Sequence, residues 1–270
     1  MKHPSVIIIV LLFNMALLQQ CTNSNAGQGE GDHPAAPSGK ALPVLFHQSA
    51  SEYRALCYQA FNLARLRLDM DLRRAAVSLQ QAIVMDIDET VLDNSPYEAS
   101  SILNNFVYPE HWSDWVNLAS AKAVPGSLEF LSYAESGGVE VFYITNRKEE
   151  FRAPTLKNLK ALGFPFADDE HLFMRTSTSS KKERREKVSE RHRIVMFIGD
   201  NLNDFSEVFE KLPAGERNAK TDEYSERFGT SFIVLPNVIY GDWENALYNY
   251  TKGLDAEVRW EMMKERLEPF

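Results

Sequence analysis

The apolar run Ala82-Ile83-Val84-Met85 ends abruptly at Asp86, and a second carboxylate, Asp88, follows one residue later in Asp86-Ile87-Asp88-Glu89-Thr90. Four apolar residues in a row are about strand length, and apolar side chains on both alternating faces suit a parallel strand covered by helices on each side. The chain is therefore expected to be α/β, built on a parallel sheet. Open sheets of that kind gather ligands at the carboxyl ends of their strands, which is where Asp86 emerges. Asp86 and Asp88 leave the strand as near neighbours, so one can attack as a nucleophile while the other manages protons. A strand followed by an acidic turn would show the same short pattern, and the rest of the chain decides between the two.

Three further features arrive in order, each bordering another expected strand or helix. Val139 to Ile144 runs into Thr145-Asn146-Arg147, delivering a hydroxyl and loop amides of the kind a phosphoryl oxygen needs. A basic segment, Lys181-Lys182-Glu183-Arg184-Arg185, supplies a cation. Ile194 to Ile198 then stops at Gly199-Asp200-Asn201-Leu202-Asn203-Asp204. Asp200 and Asp204 both fall near the sheet mouth if a helix begins there with Asn201 or Asn203 as its cap. Hard oxygen ligands without nearby Cys or His point to magnesium over zinc.

Asp86-x-Asp88-x-Thr90, Thr145, Lys181 and Gly199-Asp200-x-x-x-Asp204 resemble the four ordered motifs of the haloacid dehalogenase superfamily of phosphotransferases. More narrowly, residues 88–97, Ala123-Val124-Pro125-Gly126, residues 142–147 and residues 199–205 are similar to the class C acid phosphatases, a likeness covering about residues 45 to 250. The resemblance implies a Rossmann-like parallel sheet with a small, mainly helical cap. It also implies a bacterial lipoprotein phosphatase for 5′-nucleotides and related monoesters. It places Mg2+ on the carboxylates of Asp86 and Asp200 and the backbone carbonyl of Asp88, with Asp204 bracing the site. Asp86 then forms an aspartyl-phosphate, Asp88 exchanges protons, and Thr145 and Lys181 steady the phosphoryl oxygens. Spacing does not separate Lys181 from Lys182 in that role. Asn146 and Arg147 fall to substrate binding, and Trp112 and Tyr240 sandwich a nucleotide base, each contributing roughly 1–3 kcal/mol. Trp115 and Trp243 read as packing residues, and Asp93 and Asn94 as fixing the nucleophile loop through Asx-type hydrogen bonds.

Other readings share these residues. A phosphotransferase would hand the same phosphoryl group to an acceptor alcohol, and a surface lipoprotein could bind nucleotides without turnover. A dehalogenase has no use for Asp88, because halide leaves without a proton. A formal charge of −9 disfavours a nucleic-acid polymer as partner, since counterion release requires clustered Lys and Arg. The one basic cluster, Lys181 to Lys187, is laced with Glu183 and Glu186 and otherwise reads as a solvated helix face.

At the amino terminus, residues 1–20 read as an export signal, with an apolar segment from Val6 to Leu18 too short to span comfortably. Leu18-Gln19-Gln20-Cys21 resembles a lipoprotein processing site with Cys21 acylated, although Gln20 departs from the usual small residue. This implies an exported lipoprotein anchored through Cys21 at the outer membrane or facing the periplasm. Residues 21–44, poor in apolar periodicity, read as a flexible tether, and residues 45–270 as the catalytic domain with a cap-like insert at about 94–122. Cys57 sits on an apolar helical stripe and reads as a core residue. Helices are expected from Ser49 to Met70, from Pro125-Gly126 to Ser136 and from Arg152 to Leu162, with short strands over Asp169 to Met174 and Ser231 to Leu235. Oligomeric state is not legible.

Overall fold

A computed structural model describes residues 39–74 and 79–270; the expected export signal, Cys21 and most of the expected tether lie outside the described residues. Five strands form one parallel sheet: β1 (Gln80–Met85), β4 (Glu140–Lys148), β5 (Leu172–Arg175), β6 (His192–Gly199) and β7 (Phe232–Val234). A second, two-stranded ladder pairs β2 (Leu92–Asp93) with β3 (Lys122–Ala123) in antiparallel fashion. The helices are α1 (Ala41–Ser49), α2 (Ser51–Arg74), α3 (Ser95–Asn104), α4 (Trp112–Leu118), α5 (Ser127–Ser136), α6 (Arg152–Leu162), α7 (Lys182–Ser189), α8 (Ala214–Glu223), α9 (Asp242–Leu247) and α10 (Ala256–Lys264). Among the described residues no helix is long and apolar enough to cross a membrane.

The large sheet runs β5-β4-β1-β6-β7. From β1 the chain winds outward through β4 and β5, then returns to the other side of β1 to lay down β6 and β7. The reversal opens a crevice at the carboxyl ends of β1 and β6, where open α/β sheets bind ligands. The apolar run of β1 explains its central place. Ile83 and Met85 pack on the face covered by α2 and α5, through Cys57, Ala64, Leu68 and Leu131. Ala82 and Val84 pack on the opposite face with Phe142, Ile144 and Val188 of α7. Both faces are dry, so the strand needs no polar alternation. Cys57 is fully buried, and that burial pushes its thiol up to about 11, which suits an inert core residue.

The segment between the first two motifs is short and mainly helical, as its sequence implies. The β2–β3 ladder closes its base, and α3 and α4 stand above the sheet end. Three boundaries differ from expectation. The tether does not extend to residue 44: α1 begins at Ala41 and packs Val44 and His47 inward, so the folded unit starts earlier. Thr145 to Arg147 belong to β4 itself, which continues to Lys148 and pairs it with Arg175, so these residues sit on extended backbone and not in a loop. The helix expected after Gly199 is a single 3-10 turn, Leu202–Asp204, with Asn201 as its cap. α8 escapes a periodicity reading because its buried anchor is charged. Arg217 donates to Asn201 Oδ1 and Asn203 Oδ1 at 3.0 Å each and to the Phe209 carbonyl at 2.6 Å.

Candidate active site

Asp86 is the first residue beyond β1, and its amide donates to the Ile198 carbonyl at 2.9 Å, which stitches the β1 and β6 ends together. The chain then turns sharply. The Ile87 carbonyl accepts the amides of Val91 and Leu92 at 2.9 Å, and Glu89 takes a positive φ of 60°. A non-glycine residue in that region needs compensation, and Glu89 has it. Its fully buried carboxylate accepts the Asn94 amide at 2.7 Å and the Asn94 side-chain nitrogen at 3.3 Å. Burial first, then Asp88, raises the Glu89 carboxyl well above its ordinary range.

Asn94 links that turn to Asp88. Its side-chain nitrogen donates to Asp88 Oδ1 at 2.9 Å, while its oxygen accepts Trp115 Nε1 at 2.8 Å and Arg147 Nη2 at 3.2 Å. Arg147 is buried and its guanidinium lies 2.8 Å from the same Asp88 Oδ1. The Thr145 hydroxyl is 3.3 Å from Asp88 Oδ2 and itself accepts the Arg147 amide at 3.0 Å. Asp88 is thus held by three residues from two elements, Asn94 at the start of α3 and Thr145 and Arg147 on β4, with Oδ1 taking nearly all the donors. Arg147, expected to bind substrate, spends its guanidinium on Asp88 and Asn94, and its charge also lies 5.6 Å from the Trp112 ring centre.

Across the crevice Asp86, Asp200 and Asp204 each present a carboxylate oxygen within 4.8 Å of the others. Lys181, the cap residue of α7, is buried and donates to Asp86 Oδ1 and, at 2.7 Å, to Asp204 Oδ1. Lys182 points outward instead, half-exposed and paired with Glu207 at 3.2 Å. Asp204 Oδ2 accepts the Asn201 amide at 3.0 Å, and Asn201's side chain caps the same turn. Gly199 is required by this close approach, since a Cβ there would lie 2.6 Å from that of Asp204. Asp200 Oδ2 accepts Asn237 Nδ2 at 2.8 Å, and the Thr90 hydroxyl stands 3.3 Å from Asp200 Oδ1. Arg184 ties the walls together, donating to the Thr145 carbonyl at 2.5 Å and to Asn146 Oδ1 at 2.8 Å.

The electrostatics follow from gathering three carboxylates around one ammonium in a dry place. Burial raises Asp86 to about 7 against the pull of Lys181. Burial, then Asp204 and Asp86, raises Asp200 well above its ordinary range. Burial works against the Lys181 ammonium, but Asp204 and Asp86 outweigh it and hold its pKa above normal. The cluster has surplus negative charge and all-oxygen donors, so its chemistry fits a hard divalent cation. Asp88 contributes no carboxylate oxygen to the trio, because its side chain is turned toward Arg147.

Above this floor opens a cavity of about 380 Å³. Asn146, Trp112 and Tyr240 line it, with Trp112 braced edge-on by Tyr97 at 5.1 Å and by Tyr108 at 5.8 Å between ring centres. Tyr240 is set by an Asx turn in which Asn237 Oδ1 accepts the Ile239 amide at 2.9 Å. Trp115 and Trp243 lie outside the cavity lining. Sequence reasoning missed Glu89, Asn237 and Arg184 as organisers of the site. Glu89 stood in plain view within the first motif, whereas Asn237 shows itself only once β7 brings residues 236–240 beside Asp200.

An aspartate at the end of the first sheet strand, a buried lysine, and a second acidic pair beyond the neighbouring strand define a member of the HAD superfamily. Residues 24–243 match the family described as HAD superfamily, subfamily IIIB (Acid phosphatase). The chain is 42% identical to the class C acid phosphatase from Bacillus anthracis. It superposes on that enzyme with tungstate bound at a TM-score of 0.83 and on a second structure of it at 0.82, covering 86% of this chain and 97% of that one. It is also 34% identical over 130 residues to Acid phosphatase 1 of Solanum lycopersicum, and 32% identical over 132 residues to a Stem 31 kDa glycoprotein of Glycine max. Each of those matches takes in 45% of this chain and 50% of the relative, so the chain spans about half the length of these curated relatives. The protein belongs to the subfamily IIIB acid phosphatases.

Proposed function

We propose that the protein is a magnesium-dependent acid phosphomonoesterase that hydrolyses 5′-nucleotides and related monoesters through an aspartyl-phosphate on Asp86. The observation that carries this reading is the placement of Asp86 at the cavity floor beside Lys181, with Asp88 one residue away and held by other groups. In the first half-reaction a carboxylate oxygen of Asp86 attacks phosphorus and the ester oxygen departs with its electron pair. Asp88 gives that oxygen a proton. Its Oδ1 is saturated by Arg147 and Asn94, so Oδ2, facing only the Thr145 hydroxyl, is the oxygen suited to carry the proton. In the second half Asp88 takes a proton from the water that attacks phosphorus, which releases phosphate and restores Asp86. Lys181 and Asn146 accompany the phosphoryl oxygens, and Thr145 helps orient Asp88.

Asp86, Asp200 and Asp204 are the residues that would hold Mg2+ together with the Asp88 backbone, and Asn237 would orient Asp200. The bound ion supplies positive charge that lets an anionic nucleophile meet a phosphate dianion. Tungstate, bound by the Bacillus anthracis relative, is a tetrahedral dianion like the phosphate ester proposed here. Trp112 and Tyr240, which line the same cavity, suit a flat base. From the sequence of residues 1–21, we place the protein at a membrane through a lipid on Cys21, exported and facing the periplasm or at the outer membrane.

Phosphate release from a panel of nucleoside 5′-monophosphates, aryl phosphates and alkyl phosphates, at several pH values with magnesium and with chelator, tests the reading. Turnover that depends on the ion and peaks on the acid side is expected. Binding of nucleotides with no phosphate released under any condition would overturn it.

A further inference from the structure

The cavity wall contains a carboxylate that the phosphoryl chemistry does not use. Glu98 lies in the first turn of α3, four residues after Asn94, the residue that holds Asp88. Four residues are about one helical turn, a rise of about 6 Å, so Glu98 stands on the same side of the helix as Asn94 and one step up from the reacting end. It lines the cavity, yet its side chain is only 9% exposed. Its carboxylate pairs with Lys40, which precedes α1, at 3.5 Å from Oε2. Burial, partly offset by Lys40, holds the Glu98 carboxyl above its ordinary range, and Glu244 of α9 adds to the rise. Lys40, Trp112 and Tyr240 line the same cavity as Glu98.

A buried carboxylate is an awkward wall for a pocket that admits dianions, because like charges repel. Lys40 cancels most of that charge without filling the acceptor capacity, since a carboxylate offers about four lone-pair sites and one ammonium uses few of them. What such a group can take from a ligand is hydroxyl donors. In a phosphomonoester whose phosphoryl group is at Asp86 and whose ring reaches the aromatic mouth, the part that passes this height is the sugar. Resting on the phosphatase reading, we propose that Glu98 is a specificity-determining residue that accepts hydrogen bonds from the vicinal hydroxyls of a ribose, with Lys40 holding it in place.

The test compares kcat/KM for a ribonucleoside 5′-monophosphate with its 2′-deoxy and 2′,3′-dideoxy counterparts. Hydrogen bonds to a charged acceptor are worth enough for about a tenfold preference per hydroxyl. The wild-type protein should follow the order ribo, deoxy, dideoxy. Glu98→Ala should bring the ratios close to one, and Glu98→Gln, which keeps one acceptor oxygen, should leave an intermediate preference. A general structural defect would lower all three substrates together and leave the ratios where they were, which would overturn the proposal. So would wild-type ratios near one, a comparison that needs no variant to fold. Absence of phosphate release from every substrate, including aryl and alkyl esters, would instead overturn the phosphatase reading on which the proposal rests.

Discussion

Replacing Asp86 by asparagine should remove activity and, in the absence of metal, stabilise the fold by an amount that grows with pH. In the folded protein burial holds the Asp86 carboxyl at about 7, against 3.8 for an unperturbed aspartate. Between those values the folded state keeps a proton that the unfolded chain has released, so the wild type loses stability as pH rises through this window. At about 1.4 kcal/mol per pH unit, the loss reaches about 4 kcal/mol by neutral pH. Asparagine does not titrate, keeps the shape and leaves Lys181 paired with Asp204 at 2.7 Å. Below about pH 4 the two proteins should have similar stability, and at about pH 7.5 the variant should be ahead by up to about 4 kcal/mol. Urea denaturation of both proteins in chelator across this range measures the gap, and the difference between them cancels the titration of groups that Asp86 does not influence, such as His47. Added magnesium should close the gap from the wild-type side, because it binds the ionised carboxylates. A gap that stays flat or shrinks with rising pH would refute the reasoning.

Arg147→Met should free Asp88 and depress kcat for alkyl phosphates far more than for aryl phosphates, whose leaving groups need little protonation; equal losses would make Arg147 a purely structural group. Trp112→Ala and Tyr240→Ala should each cost roughly 1–3 kcal/mol, about ten- to a hundredfold in kcat/KM, on nucleotides, and a loss as large on small alkyl phosphates would mean that the rings support the fold. Asn237→Ala, which strips Asp200 of a 2.8 Å hydrogen bond, should raise the magnesium concentration for half-maximal activity by about tenfold or more, read from a metal titration. Cys21→Ser should abolish fatty-acid labelling and release the protein from membranes, and an unlabelled wild type would sink the anchor.

The sheet was legible because β1 is apolar on both faces and three expected strands each end at a polar motif, so pattern and chemistry marked the same positions. Lys181 and Lys182 were indistinguishable by spacing; only the entry angle of α7 turns the first inward to Asp86 and the second outward to Glu207. Arg147 reads from its sequence as a substrate ligand and does line the cavity, but its hold on Asp88 was not legible, because it depends on the length of β4. Trp115, expected to pack, does so while donating its indole N–H to Asn94. Partners such as Asn237 and Glu98 are set by long-range packing of β7 and α1, for which local periodicity carries no signal. α8 was invisible for a related reason, since its anchor Arg217 satisfies polar groups where an apolar stripe would have announced a helix.

The central claim is that Asp86 carries the phosphoryl group in mid-reaction, and chemical trapping tests it most directly. Protein quenched in acid during turnover of an aryl phosphate with magnesium, then digested and analysed by mass spectrometry, should yield phosphate on the peptide containing Asp86. Borohydride reduction before digestion should convert that one side chain to homoserine, with Asp88, Asp200 and Asp204 left unchanged. Robust phosphate release with no label on Asp86, or with the label on another residue, would contradict the account.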